Sequence, residues 1–286
     1  MSLEGRANCE LTGADRRGIV ARGTEYERFM QINITLDHQG NGPERGPVQV
    51  GWFLTTDKAG VLFDPPERLT SRQTNTGHAK SASRCPSVIQ MESRYFVVKC
   101  PYDLHIGFNR KEDGRAVLVN RAGGAAAVRR AKLSNLVTLV NEEEWRYPDR
   151  PTIQLMLPYC FIADETLYMT QLGPFAHYRP DPLPGTIFGG RFPINIWPRP
   201  LMWAFEWHDP KKDLVLRRGE PLFYCQFEAT GPERPIQMIE AERTPELQEY
   251  IDRLSGVVNY VNQTFGLFKA AEAIRPKTLL KAKPRD

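Results

Sequence analysis

Five histidines, His38, His78, His105, His177 and His208, are the side chains here best suited to hold a metal or move a proton near neutral pH. None stands in the H-x-H, H-E-x-x-H or H-x-D spacing that offers a metal two ligands from one element. The nearest approach is Glu206-Trp207-His208-Asp209. On a strand Glu206 and His208 share one face, because side chains alternate with period two, and further ligands would have to come from neighbouring strands of a barrel. The competing reading turns Trp207 inward and leaves Glu206 and His208 at a solvated strand end ahead of Pro210. That reading is the stronger, so the sequence assigns no metal, no cofactor and no catalytic residue.

Cys9, Cys85, Cys100, Cys160 and Cys225 are odd in number, widely separated and never paired as C-x-x-C. This is the pattern of reduced, mostly buried thiols rather than of a disulfide frame or zinc site. Cys85 and Cys100 each precede a proline, which reads as strand entry and exit rather than as a nucleophile's setting. There is no G-x-S-x-G and no S-x-x-K with its supporting motifs. Gly185-Thr186-Ile187-Phe188-Gly189-Gly190-Arg191 is glycine-rich, but no helix is expected after it to offer amide groups to a phosphate. Gly123-Gly124 is weaker still. With each enzyme signal failing, the chain leans away from catalysis.

Aromatic residues form the densest cluster of large side chains: Trp197, Trp203, Phe205, Trp207, Phe223, Tyr224 and Phe227. Alternation puts Trp203, Phe205 and Trp207 on one face of a strand, with Met202, Ala204 and Glu206 on the other. Aromatics can stack bases or sugars, but three in a row on one face are expected to form a core or a buried subunit interface.

Two resemblances attach to these stretches. Gly185 to Gly190 followed by Leu214-Val215-Leu216-Arg217-Arg218-Gly219-Glu220-Pro221 and the strand Leu222 to Phe227 loosely resembles the closing strands of trimeric dUTPase-like β-folds. That likeness implies a nucleotide-directed hydrolase with a water-activating carboxylate and magnesium, motifs that are not matched elsewhere in the chain. Cys85 to Asp103 and Phe192 to Phe227, especially Trp197-Pro198-Arg199-Pro200, resemble an uncharacterised group of phage and bacterial β-rich proteins. This second resemblance covers under half the chain, implies a phage-related protein and transfers no site residues.

The elements around these residues read as mainly β. Alternating or apolar runs occur at 29–36, 48–54, 88–91, 95–100, 104–108, 116–119, 137–140, 153–157, 160–162, 201–207, 214–216 and 222–227. Asn109 to Gly114 reads as a hairpin turn. Residues 64–86 read as a long exposed loop, and seven prolines between 174 and 200 confine that stretch to extended loop or sheet edge. Thr244, Pro245 and Glu246 open an amphipathic helix, with Leu247, Tyr250, Ile251, Leu254, Val257, Val261, Phe265 and Phe268 at helical spacing. The organisation expected is an N-terminal arm over 1–28, a β-rich core over 29–240, a C-terminal helix over 244–270 and a basic tail over 275–286. The core is expected to be an antiparallel sandwich of jelly-roll type.

At 286 residues, 41% hydrophobic and 25% charged, the chain can bury a sizeable core. Its net charge of +4 is too diffuse for a nucleic-acid stripe. Arg275, Lys277, Lys281, Lys283 and Arg285 concentrate the excess in a tail expected to be weakly held, with at most weak nucleic-acid contact. No run approaches the ~20 apolar residues of a membrane span, and no signal segment opens the sequence. The expectation is a cytoplasmic protein, or part of a virion assembled there. Its expected function is non-catalytic binding or assembly through protein partners or self-association. A nucleotide hydrolase and a β-barrel metal oxygenase are the alternatives.

Overall fold

Side-chain alternation along 152–162 organises the molecule. In the computed structural model, which describes residues 46–56, 63–70, 81–122, 133–229, 234–257 and 264–284, Ile153, Leu155, Leu157, Tyr159 and Phe161 all enter one apolar cluster. On the opposite face Gln154, Met156 and Pro158 are at least partly exposed, and then Cys160 and Ile162 enter a second cluster. The chain divides into two compact units, residues 1–43 and 44–286, and every described residue belongs to the second. The expected arm and the strand-like run at 29–36 lie outside the described residues, as does the glycine- and alanine-rich stretch 123–132.

The fold is mainly β, in curled antiparallel and mixed sheets. With strands numbered in chain order, the largest sheet runs β14 (Ile236–Glu240), β1 (Val48–Leu54), β7 (Thr152–Ile162), β11 (Pro200–Trp207) and β9 (Gly185–Ile187). β1 and β14 are parallel, while β6 (Val137–Leu139) pairs with the first half of β7 on the edge whose second half takes β1. A second sheet runs β10 (Gly190–Pro193), β8 (Tyr168–Leu172), β13 (Pro221–Glu228), β3 (Tyr95–Lys99) and β2 (Glu67–Arg68). A third, of three strands, runs β12 (Leu214–Leu216), β4 (Leu104–Arg110) and β5 (Ala116–Asn120). Val50, Phe96, Ile106, Leu155, Trp203 and Phe223 illustrate how all three sheets feed the first cluster. The proline-rich stretch supplies β9 and β10, both terminal in their sheets, and ends at Pro200, the first residue of β11, positions where proline is tolerated.

Turn residues behave as their chemistry requires. Gly114 (φ 80°) closes the β4–β5 hairpin and Gly219 (φ 82°) turns the chain into β13. Three stretches differ from expectation. Val88 to Met91, a short apolar run, lies in helix α1 (Pro86–Arg94) and not in a strand. Pro86 occupies the helix start, where its absent N–H would be unpaired anyway, and the Ile89 amide closes the first turn on the Cys85 carbonyl. The stretch expected as one long loop contains β2, paired with β3, and a short 3₁₀ turn at Ala82–Arg84, while 71–80 lie outside the described residues.

The third difference is at the C-terminus. In place of one helix over 244–270, the chain forms α2 (Pro245–Val257) and α3 (Thr264–Ala273), with 258–263 outside the described residues. Thr244 caps α2 through its hydroxyl, which accepts from the Leu247 amide at 3.2 Å. Leu247, Tyr250 and Leu254 from α2 and Ala271 from α3 cover Phe53, Cys160, Ile162 and Trp197. The tail expected to be loose is held down. Arg275 donates to the carbonyls of Asn195, Ala163 and Asp164, Leu279 is 2% exposed, and Lys281 and Lys283 pair with Glu242 and Glu240. Arg285 lies outside the described residues. Among the described residues no helix is long and apolar enough to cross a membrane.

Candidate functional site

β11 carries its aromatics inward: Trp203, Phe205 and Trp207 are each 0% exposed. Trp203 and Phe205 stack with centroids 5.1 Å apart and planes 4° apart, and Trp207 meets Phe205 edge-on at 6.4 Å. The opposite face does not match the expected solvated strand end. Glu206 is only 2% exposed, so the charged group that alternation turns outward is buried nevertheless. Its cover comes from three other places in the chain.

His208, two residues on, shares that face, and its Nε2 lies 2.9 Å from Glu206 Oε1. The 146–150 loop contributes Arg146 and Arg150, whose Nη1 atoms lie 3.7 Å from Oε2 and 3.6 Å from Oε1. The neighbouring strand β9 contributes Thr186, in register with Glu206, whose hydroxyl lies 3.1 Å from His208 Nε2. Phe188 follows, its amide donating to the Ala204 carbonyl. Gly185 lets β9 come this close: a Cβ there would sit 2.0 Å from the Glu206 carbonyl oxygen. The glycine-rich stretch read against phosphate cradles is therefore a strand-packing device.

Burying a carboxylate is unfavourable unless it is paired and hydrogen-bonded. Glu206 Oε1 has His208, but Oε2 is buried with no hydrogen-bond partner. The guanidinium distances are those of ion pairs, too long for hydrogen bonds. Both guanidiniums lie instead over aromatic rings. Arg146 lies over Tyr147 and Phe188, each at 5.7 Å, and Arg150 lies over Tyr147 at 4.3 Å. The side chains of Arg146, Arg150 and His208 are 60%, 37% and 40% exposed, and Tyr147 is 42% exposed. Two solvent-facing guanidiniums thus lie over a buried carboxylate.

The geometry limits what chemistry is possible. In a serine- or threonine-type triad the two ring nitrogens take separate roles, one toward the acid and one toward the hydroxyl. Here one nitrogen, His208 Nε2, faces both Glu206 and Thr186, so the ring cannot relay a proton between them. A second pair, His105 Nε2 and Asp213 Oδ2 at 2.8 Å, joins β4 to the start of β12. Arg121 Nε flanks the same carboxylate at 3.6 Å across Gly107, where a Cβ would meet that nitrogen at 2.6 Å. Among the described residues no group of three or more His, Cys, Asp or Glu is placed to hold a metal ion.

Glu206 and His208 were the pair singled out in the sequence, and the structure does bring them together. Arg146, Tyr147 and Arg150 were not singled out, and Thr186 and Phe188 were named only as part of the glycine-rich stretch. The only local signal was two arginines four residues apart around an aromatic in a proline-containing turn. Comparison of the chain with family models, curated proteins and solved structures finds no match.

Proposed function

We propose that the protein is a non-catalytic binding or assembly protein. On the partial resemblance of Cys85 to Asp103 and Phe192 to Phe227, we further propose a structural component of a phage-type virion, assembled in the cytoplasm. One observation carries the binding reading. Among the described residues, the C-terminal helices cover the outer face of the largest sheet at one end. At its other end Met156 (55% exposed) and Met202 (36% exposed) stand opposite one another on β7 and β11, beside the arginine-lined surface at Glu206. Large apolar side chains in register on an open sheet face, rimmed by arginine and tyrosine, have the make-up of a protein contact surface. A jelly-roll-like sandwich is the finer architecture we propose, supported by one apolar cluster drawing on all three sheets.

Light scattering on the purified protein tests the reading. A mass of more than one chain is expected, falling toward one chain in Met156→Lys/Met202→Lys. A parent that stays monomeric at its highest soluble concentration, with partner mixing leaving its mass unchanged, would remove the support for assembly.

A further inference from the structure

The Met156–Met202 pair and the Glu206 cluster lie on one continuous face. Along β11, Met202, Ala204 and Glu206 occupy alternate positions, and across β7 they stand opposite Met156, Gln154 and Thr152. Met202 and Glu206 are four residues apart, about 13 Å at the rise of an extended strand. At one end of that span are exposed thioethers, which adapt to apolar partners. At the other are two arginines whose guanidinium groups donate no hydrogen bond among the described residues and lie over the rings of Tyr147 and Phe188. A guanidinium resting on a ring has less freedom to lose when it meets a carboxylate, and its planar fork matches two carboxylate oxygens.

The charge balance narrows the partner. Glu206 lies within 3.7 Å of both guanidiniums and offsets one of their two charges, while Asp209 is already paired with Lys212 at 3.3 Å. With little net positive charge, the patch cannot concentrate a polyanion as a nucleic-acid surface must. Directed donors beside an apolar patch suit a single carboxylate on a protein chain. Resting on the binding reading above, we infer that this face docks an extended acidic segment of a partner protein, with a glutamate or aspartate on Arg146 and Arg150. An apolar side chain four positions away, on the same face of that segment, packs on Met156 and Met202.

Fluorescence anisotropy with labelled ten-residue peptides tests this. One peptide places methionine four positions before glutamate in a strand-forming background. A second has glutamine for glutamate, a third moves methionine by one position, and a short DNA duplex is the polyanion arm. The parent is expected to bind the first peptide, with affinity falling about tenfold for the glutamine peptide and in Arg146→Gln/Arg150→Gln, the loss of a charged hydrogen bond. The glutamine peptide keeps the test valid should that variant fold poorly. Equal affinity for the glutamate and glutamine peptides, or preference for the duplex, would overturn the inference. A parent that assembles in light scattering yet ignores every peptide would overturn it too, while leaving the binding reading in place.

Discussion

The cysteines show how far one residue's environment reaches into its chemistry. Cys100, Cys160 and Cys225 are buried, and burial pushes their thiols up, that of Cys100 to about 11. Cys85 is exposed at the start of α1, where the amides of Val88 and Ser87 favour the thiolate and draw its pKa below the ordinary value. The thiolate is the nucleophile, so a lowered pKa means a larger reactive fraction at any pH below the ordinary value. Iodoacetamide at neutral pH should therefore alkylate Cys85 well before the other three, as read by peptide mass spectrometry, with its rate levelling off at lower pH than a free thiol's. Faster labelling of Cys160 or Cys225 in the folded protein would contradict this. The sequence reading of thiols as mostly buried suits three of these four. Cys85 differs because its proline starts a helix, a distinction that a four-residue apolar run such as Val88 to Met91 cannot make.

At the scale of the element, β11 was readable because everything that sets its faces is local. Period-two alternation alone put Trp203, Phe205 and Trp207 together, and all three are fully buried. Trp203→Ala should cost about 3–5 kcal/mol in denaturant unfolding, the usual loss for emptying a core of a large aromatic. Trp203 Nε1 is buried without a hydrogen-bond partner, so Trp203→Phe removes an unpaired donor along with some volume and should cost clearly less. A Trp203→Ala variant as stable as the parent would return this strand to consideration as a ligand platform. The opposite face was not readable. Its character depends on the 146–150 loop and on β9, which strand periodicity does not place, so a carboxylate expected in solvent is instead roofed by arginines. The same non-locality hid the anchoring of the tail, whose partners Asp164, Asn195, Glu240 and Glu242 come from three separate stretches.

At the scale of the whole molecule, the two apolar clusters share a wall. β7 sends Leu155, Leu157, Tyr159 and Phe161 into one and Cys160 and Ile162 into the other, while β1 sends Val50 and Trp52 one way and Phe53 the other. Gly51 marks how closely the second cluster approaches, since a Cβ there would lie 2.8 Å from the Ile162 side chain. Loosening the C-terminal helices would therefore expose the back of the strands that carry the main core. The described part of the second unit should unfold as one body, although chains of this length can populate intermediates. Leu254, 3% exposed in α2, belongs to the second cluster, and Leu254→Ala should cost about 2–5 kcal/mol. Each kcal/mol should lower the thermal midpoint by about 2–4 °C for a domain of this size. If the clusters are coupled, far-ultraviolet circular dichroism and tryptophan fluorescence will fall together in one shifted transition. Trp203 and Trp207 lie in the main core but Trp197 lies in the second cluster with Leu254, so the comparison is made in a Trp197→Phe background. Two separated transitions, with fluorescence keeping the parent's midpoint while part of the helical signal melts early, would show that the helices are a detachable cover rather than one wall of a shared fold.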